Sequence, residues 1–411
     1  MKKNNKVYYA DLFGKRKDKY DYLNDHSIFS TKFEELEYNK EYNFFVKKNF
    51  TAYRKYSSYY NITQIFKDCK SGVSTLRDHF VIDFTLNELK IKMDKFKSNL
   101  DDFTIKKELN LKDTRDWNLH VAREEFKKTE YSDRILDYSY RPFDTRLICY
   151  SPSLYDRGCS REEFMKNFYK PNVGIILRRS STKTWHHIFI TKDIMDMNFL
   201  EARTYVIPLW TYNDSNGTIQ KTLNGKSIIK KSGKNSNLAE DFLKFISEQY
   251  PNKEINPEEV LGYIYVVLHS PIYREKYQEF LKIDFPRIPF VKDYKKFQKL
   301  SKLGSELIEL HLMKKQFNRN IAKFEISGSN DVKYVKYKEK RIYLNEKQYF
   351  DNISEEIWNF HIGGYQVLDK WLKSKKNRKI THTEIETYIK IVNILSETIK
   401  LMDKIDKIKL D

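Results

Sequence analysis

The sequence predicts an α+β protein in which a β-rich core lies between a mainly helical N-terminal part and a mainly helical C-terminal part. Apolar residues recur at helical spacing up to about residue 130 and again beyond about residue 238. Between these parts, short runs of β-branched and aromatic residues alternate with Gly, Pro, Asn and Asp, which is typical of strands and turns. The pattern therefore divides the 411 residues into segments 1–130, 131–237 and 238–411.

The N-terminal segment begins with a short apolar run at Val7-Tyr8-Tyr9, followed by a polar stretch of helical character over residues 14–23. The helical spacing of two groups of apolar residues predicts further helices, and the same spacing predicts another helix over residues 113–128. Residues 72–75 interrupt this pattern, which predicts a loop there. The two groups are Ile62, Ile65 and Phe66, and then Leu86, Leu89 and Met93.

The central segment contains four predicted strands, and Pro142 and Pro208 suggest strand ends or edges. A polar connector over residues 214–237 follows, and its Asn224-Gly225 pair is suited to a hairpin turn. The four apolar runs cover residues 147–150, 173–177, 187–190 and 205–209.

The C-terminal segment carries clear helix starts. Asn256 before Pro257 predicts a capped helix, a β-hairpin is predicted over residues 332–345, and Ser354 is expected to cap a helix that runs to Leu372. Thr381 and Glu384 form a capping box before a last amphipathic helix. Its apolar stripe consists of Ile385, Ile389, Val392, Leu395, Ile399, Met402 and Ile405.

The net charge of +19 predicts a polyanionic partner, because Lys and Arg release counterions when they neutralise phosphates. The alternative is a lysine-rich solvated surface of the kind that an AT-rich genome encodes. Three cysteines at unrelated spacings, Cys69, Cys149 and Cys159, fit a reducing cytoplasm. The start of the chain has no apolar stretch like that of a secretory signal, and no apolar run is long enough to span a membrane.

Motifs for catalysis are absent from the sequence. It has no Pro-Pro pair for the N/D-P-P-Y/F loop of amino-methyltransferases, no Walker-type loop and no convincing PD…(D/E)xK nuclease arrangement. His186 and His187 would chelate one metal ion poorly, because adjacent residues on a strand point to opposite faces. The chain alone is therefore expected to have no catalytic residue, no metal site and no cofactor.

The stretch between the second and third predicted strands concentrates groups that suit DNA. Arg can bind guanine through two hydrogen bonds or clamp phosphate, hydroxyl groups can donate to phosphate, and Trp can stack or wedge. A solvated hairpin tip whose arginines pair with Asp or Glu explains the same composition. Basic residues of nearby turns are further candidates. The predicted DNA-binding residues are Arg146, Arg157, Arg161, Arg178, Arg179, Ser180, Lys183 and Trp185.

Several blocks of sequence, in this order along the chain, resemble the C-terminal target-recognition region of type ISP restriction–modification enzymes. Lys375 stands where that family usually has Arg, which weakens any two-pronged contact there. In the first block, Arg141 is expected to pair with Asp144 as part of the scaffold, whereas Arg146 is expected to contact DNA. The blocks are Tyr140-Arg141-Pro142-Phe143-Asp144 with Arg146 and Tyr150, residues 173–212, residues 260–290 and residues 345–378.

The resemblance implies a DNA sequence-recognition region that is non-catalytic by itself and is part of an adenine-specific DNA methyltransferase of a restriction–modification system. Its implied partners are double-stranded DNA and the nuclease, translocase and methyltransferase domains that precede this region in the family. S-adenosylmethionine, Mg²⁺ and ATP are implied only for those upstream domains. Two alternatives remain open: a DNA methyltransferase or nuclease with degenerate motifs, and a structural interaction module.

Overall fold

The computed structural model describes residues 6–36, 45–212, 219–221, 227–229 and 233–410. The chain divides into two compact units, Met1–Lys55 and Tyr56–Asp411. The changes of sequence pattern near residues 130 and 237 both fall inside the second unit, in which elements from all three segments contact one another.

The described residues form short strands and helices in an α+β arrangement. In chain order the strands are β1 (Val7–Tyr9), β2 (Glu34–Leu36), β3 (Tyr60–Asn61), β4 (Lys70–Ser71), β5 (Ile82–Asp83), β6 (Ile135–Arg141), β7 (Asp144–Cys149), β8 (Gly174–Arg178), β9 (Ile188–Thr191), β10 (Ile194–Met195), β11 (Thr204–Pro208), β12 (Trp210–Tyr212), β13 (Ile219–Lys221), β14 (Ser227–Ile229), β15 (Lys234–Ser236), β16 (Arg287–Ile288), β17 (Lys336–Lys338), β18 (Arg341–Tyr343), β19 (Tyr349–Phe350), β20 (His361–Ile362) and β21 (Tyr365–Gln366). The helices are α1 (Arg16–Asp25), α2 (Tyr53–Ser57), α3 (Ile62–Ile65), α4 (Asp78–Val81), α5 (Leu86–Lys97), α6 (Asp102–Glu108), α7 (Leu119–Lys127), α8 (Glu162–Met165), α9 (Glu240–Gln249), α10 (Pro257–His269), α11 (Pro271–Lys276), α12 (Gln278–Leu281), α13 (Tyr294–His311), α14 (Glu355–Trp358), α15 (Val367–Lys373) and α16 (His382–Asp406).

The first unit contains an antiparallel pair of strands, in which Tyr8 on β1 lies opposite Glu35 on β2. Helix α1 follows β1 and has no buried residue. The short apolar run at Val7-Tyr8-Tyr9 forms β1, and the polar helix predicted after it is confirmed as α1.

Two four-stranded sheets form the β-rich core of the second unit, and they confirm the four predicted strands as β7, β8, β9 and β11. One sheet has the order β10-β6-β7-β5 and the other the order β4-β11-β8-β9. Each sheet takes an edge strand from the N-terminal part of the sequence, β5 in the first and β4 in the second. Strand β8 and the edge strand β9 are buried on both faces along nearly their whole length.

Helices α10 and α13 pack against each other in the C-terminal part. A Cβ atom on Gly304 would lie 1.8 Å from the carbonyl oxygen of Gly262, so two glycines allow the backbones to approach this closely. His311 at the end of α13 hydrogen-bonds with the Tyr265 hydroxyl on α10 at 2.6 Å and with the Thr398 hydroxyl on α16 at 2.9 Å. These bonds tie the three helices together beneath β9, which α10 and α13 both contact.

The predicted helix starts at α10 and α16 are confirmed, because Asn256 caps the first and the Thr381–Glu384 capping box begins the second. The apolar stripe of α16 is confirmed only in part. Ile385, Val392, Leu395 and Ile405 are buried, whereas Ile389, Ile399 and Met402 are half-buried.

The predicted helix from Ser354 to Leu372 is wrong. Ser354 caps α14, which ends at Trp358, and the hairpin β20–β21 separates α14 from α15. The turn of this hairpin contains Gly363 at φ +60°, and a Cβ atom on Gly364 would lie 1.9 Å from a carboxylate oxygen of Glu201. Close packing of this hairpin on another part of the chain thus overrides the local helical spacing.

The hairpin predicted over residues 332–345 is confirmed as β17–β18, to which β19 adds a third strand. In the polar connector, β13 pairs with β14, but the turn predicted at Asn224-Gly225 lies outside the described residues. No helix among the described residues is both long and apolar enough to cross a membrane.

Candidate nucleic-acid interface

The β8–β9 loop, residues 179–187, is anchored to the segment before β16. The Ser181 amide donates to the carbonyl of Lys282 at 3.1 Å. Trp185 is only 1% exposed and packs beside His187 and Arg274. The expectation of an exposed Trp185 that stacks on DNA or wedges into it is therefore wrong, because the loop uses this indole as an internal anchor.

The cations predicted in and beside this loop all have carboxylate partners. Arg178 pairs with Glu201, and the Lys183 Nζ lies 3.1 Å from the second oxygen of the same carboxylate. Arg179 donates from Nε to Asp284 at 2.7 Å. The geometry matches the hairpin-tip alternative that the sequence left open. Ser180 is exposed at the start of this loop.

Glu201 is the centre of a charged cluster that sequence reasoning missed. Besides Arg178 and Lys183, its carboxylate faces the buried His187 at 3.5 Å. Burial alone would raise the pKa of Glu201, but the hydrogen bond from Lys183 and the charges around it lower this pKa below its usual value. Burial lowers the pKa of His187 to about 4, so this imidazole is neutral at pH 7. The cluster is packed against Gly364 and holds the start of the loop in place.

The hairpin between β6 and β7 carries a second set of charged groups, and their pairing differs from the prediction. Arg141 pairs with Asp196 at 2.9 Å, not with Asp144. Asp144 instead accepts from Arg146 at 2.8 Å, since residues two apart on a strand lie on the same face. The Arg146 guanidinium also lies between two aromatic rings, so the structure gives it a bracing role instead of an exposed position. The rings are those of Tyr140, at 3.9 Å, and Phe84, at 4.3 Å.

Lys375 is buried as well. Its ammonium group lies 3.5 Å from the centre of the Trp371 ring and 3.9 Å from an oxygen of Asp144. Burial lowers the pKa of Lys375 to about 8. The exchange of Arg for Lys noted in the sequence therefore concerns the packing behind the β6–β7 hairpin.

The turn before α8 exposes the other two predicted arginines, Arg157 and Arg161. No described residue forms a hydrogen bond or an ion pair with either guanidinium group. Arg161 has φ +59° directly before α8. Both side chains are therefore available to an anion in solution.

Arg203 holds a similar position directly before β11, and the sequence analysis missed it. It is exposed, has φ +61°, and its guanidinium group is also free of hydrogen bonds and ion pairs within the described part of the chain. Nothing in the local sequence distinguishes a single Arg before a strand from any other surface arginine. We refer to Arg157, Arg161 and Arg203 together as the unpaired arginines.

The loop of residues 72–77 links the two segments that carry the unpaired arginines. The Gly72 amide donates to the carbonyl of Thr204 at 3.1 Å, and the Ser74 amide donates to the carbonyl of Cys159 at 3.1 Å. Arg203 precedes the first acceptor by one residue, and the other two arginines flank the second acceptor. One short stretch of backbone therefore joins the two segments of the β-rich core that carry the unpaired arginines.

Comparison with known proteins identifies the family. The model of the type ISP C-terminal specificity domain matches residues 64–404. The chain belongs to this family. The match confirms the resemblance that the sequence blocks indicated. Comparison with curated protein sequences finds no match. Among the described residues of this specificity domain, no group of three or more His, Cys, Asp or Glu side chains could hold a metal ion.

Solved structures share the fold of this specificity domain at 20% sequence identity. A nuclease-deletion mutant of the type ISP restriction–modification enzyme LlaGI, in complex with a DNA substrate mimic, matches with a TM-score of 0.71 over 98% of this chain and 33% of that chain. The ATP-dependent type ISP enzyme LlaBIII bound to DNA matches with a TM-score of 0.68 over 92% and 26%. A DrdV–DNA complex matches with a TM-score of 0.76 over 98% and 43%. The chain thus spans less than half the length of these proteins.

Proposed function

We propose that this specificity domain recognises a DNA sequence on behalf of a type ISP-like restriction–modification adenine methyltransferase and is non-catalytic by itself. The observation that carries the proposal is the family match over residues 64–404. The DNA present in the solved structures of similar fold and the net charge of +19 support it. The catalytic work would belong to methyltransferase, translocase and nuclease domains of a parent enzyme, which would bind S-adenosylmethionine, ATP and Mg²⁺.

The charges suggest a division of labour on the duplex. The unpaired arginines can donate hydrogen bonds to phosphates without losing a contact within the protein. They would therefore position the DNA. Arg178, Arg179 and Lys183 would first exchange their carboxylates for base edges or phosphates, so they would act after the duplex has docked. Arg178 and Arg179 have the fork geometry that reads guanine, and Ser180 can donate to a phosphate.

Duplex binding at two salt concentrations tests the proposal. If the domain neutralises about six phosphates, its affinity should fall roughly a thousandfold between 50 and 200 mM salt. A flat salt response would contradict DNA binding and favour a protein partner.

A second assay tests the non-catalytic part of the proposal. The purified chain is incubated with duplex DNA, labelled S-adenosylmethionine, ATP and Mg²⁺, and neither methyl transfer nor cleavage is expected. Methyl transfer that a substitution within the chain abolishes would contradict it.

A further inference from the structure

Leu76 occupies an unusual position in the loop that links the unpaired arginines. Its side chain is 63% exposed, although its neighbours Thr75 and Arg77 are 2% and 4% exposed. Its φ is +55°, in the left-handed region that glycine and asparagine adopt most readily. Leu76 thus combines a strained backbone with an apolar side chain that lies in solvent.

The strain is fixed by contacts on both sides of Leu76. On one side the Thr75 hydroxyl donates to Asp78, whose other oxygen accepts from the Tyr140 hydroxyl at 2.9 Å. On the other side Arg77 forms a buried ion pair with Asp156 at 2.7 Å. The Arg77 guanidinium also lies 3.8 Å from the centre of the Trp117 ring. Leu76 is thus presented on a rigid support.

The surroundings of Leu76 indicate what it could contact. The loop that carries Leu76 bonds through its backbone to the segments that carry Arg157, Arg161 and Arg203, so the exposed leucine and the unpaired arginines belong to neighbouring segments. An apolar protein partner would leave these cations without compensation on desolvation. A duplex offers phosphates to the arginines and, between its base pairs, an apolar space that a leucine can enter.

We propose that Leu76 is a wedge that inserts into the base stack of duplex DNA while the unpaired arginines hold the neighbouring phosphates. The inference rests on the proposed DNA-binding function and adds a residue that deforms the duplex. Strained backbone persists only where surrounding contacts hold it, as those of Thr75 and Arg77 do here, and such positions cluster at functional sites. The wedge acts by positioning and takes part in no chemical step.

The test compares binding of the full 411-residue chain to an intact duplex and to the same duplex with one abasic site. The abasic site removes a base from the stack, so a wedge can enter without the cost of unstacking. The wild-type chain should bind the abasic duplex about tenfold more tightly, because insertion there does not have to unstack a base-pair step. The Leu76→Asn variant should lose this preference, whereas Leu76→Met should retain most of it.

The thermal midpoint separates this role from a structural one. Asn adopts the left-handed region more readily than Leu, so Leu76→Asn should melt at the same temperature as the wild type or higher while the abasic preference disappears. The matched control is Ile272→Ala, which removes another exposed aliphatic side chain and should leave the preference unchanged.

The outcomes distinguish the wedge from the proposed function beneath it. Wild-type chain that binds neither duplex in a salt-dependent way overturns both proposals. Salt-dependent binding with equal affinity for the two duplexes, or a preference that survives Leu76→Asn, overturns the wedge alone. Loss of preference together with a lower melting temperature in both Leu76→Asn and Leu76→Met assigns Leu76 a structural role instead.

Discussion

The β8–β9 loop and the segments joined by residues 72–77 both carry several cations. The two regions differ in whether these cations are paired with carboxylates. In and beside the loop, Arg178, Arg179 and Lys183 each contact a carboxylate. The unpaired arginines contact none within the described part of the chain. The comparison teaches that a basic loop between strands can stabilise the fold, whereas less conspicuous single arginines stay free for an anion.

Phosphates of the DNA compete with carboxylates of the protein for the same cations, and this competition sets how much each cation contributes to the free energy of binding. A cation that already has a carboxylate partner gains from a phosphate only the difference between the two contacts. A free exposed cation gains the whole contact and the release of the phosphate's counterions. We therefore expect the unpaired arginines to control DNA affinity and the Glu201 cluster to control stability.

The largest expected effect is on stability, and it comes from Glu201→Gln. This nearly isosteric change leaves Arg178 without its anion in a partly buried site, which should lower the free energy of unfolding by about 2–3 kcal/mol. Urea or thermal denaturation measures it. Asp284→Asn breaks the more exposed pair with Arg179, in which the side chains are 60% and 47% exposed, and should cost less than about 1 kcal/mol. Equal losses in the two variants would show that burial does not distinguish these pairs.

The next effect is a pH dependence that originates in the same cluster. The pKa of His187 is lowered to about 4 in the folded chain, so the unfolded chain binds more protons as the pH falls below about 6.5. The contribution of His187 to stability is therefore constant above about pH 6.5 and should fall towards pH 4 by up to about 1.4 kcal/mol per pH unit. His187→Gln should remove this part of the slope, while the exposed His382→Gln should not. An unchanged slope in His187→Gln would place the acid sensitivity elsewhere.

A smaller effect is expected in DNA binding by the loop itself. Lys183 is the most exposed of the three cations in and beside the loop, but it is paired with Glu201, so Lys183→Ala should weaken binding to all duplex sequences alike and lower the salt slope by less than one. Loss of preference at one base pair in this variant would instead assign base reading to Lys183.

The sequence was sufficient for features that depend on local patterns. The β-branched and aromatic runs located β7, β8, β9 and β11, the N-cap Asn256 before Pro257 located α10, and the Thr381–Glu384 capping box located α16. The pairing of charges was out of reach, because Glu201 and Asp284 lie 23 and 105 residues from the arginines they hold. Arg146 and Trp185 have the chemistry of DNA contacts, and only tertiary packing shows that the first is braced and the second buried. The free state of Arg203 is equally invisible in sequence, since it consists in the lack of a partner nearby.

The most direct test of this account is the salt slope of duplex binding by a variant with Arg157, Arg161 and Arg203 all changed to Gln. In the matched control, three exposed lysines on one face of α13 are also changed to Gln, so that both variants lose the same charge. These lysines are Lys295, Lys299 and Lys302. We predict that the arginine variant lowers the slope of log affinity against log salt concentration by about three, while the lysine variant leaves it nearly unchanged, with both melting near the wild-type temperature. A larger loss in the lysine variant than in the arginine variant would contradict the account and move the DNA to the surface of α13.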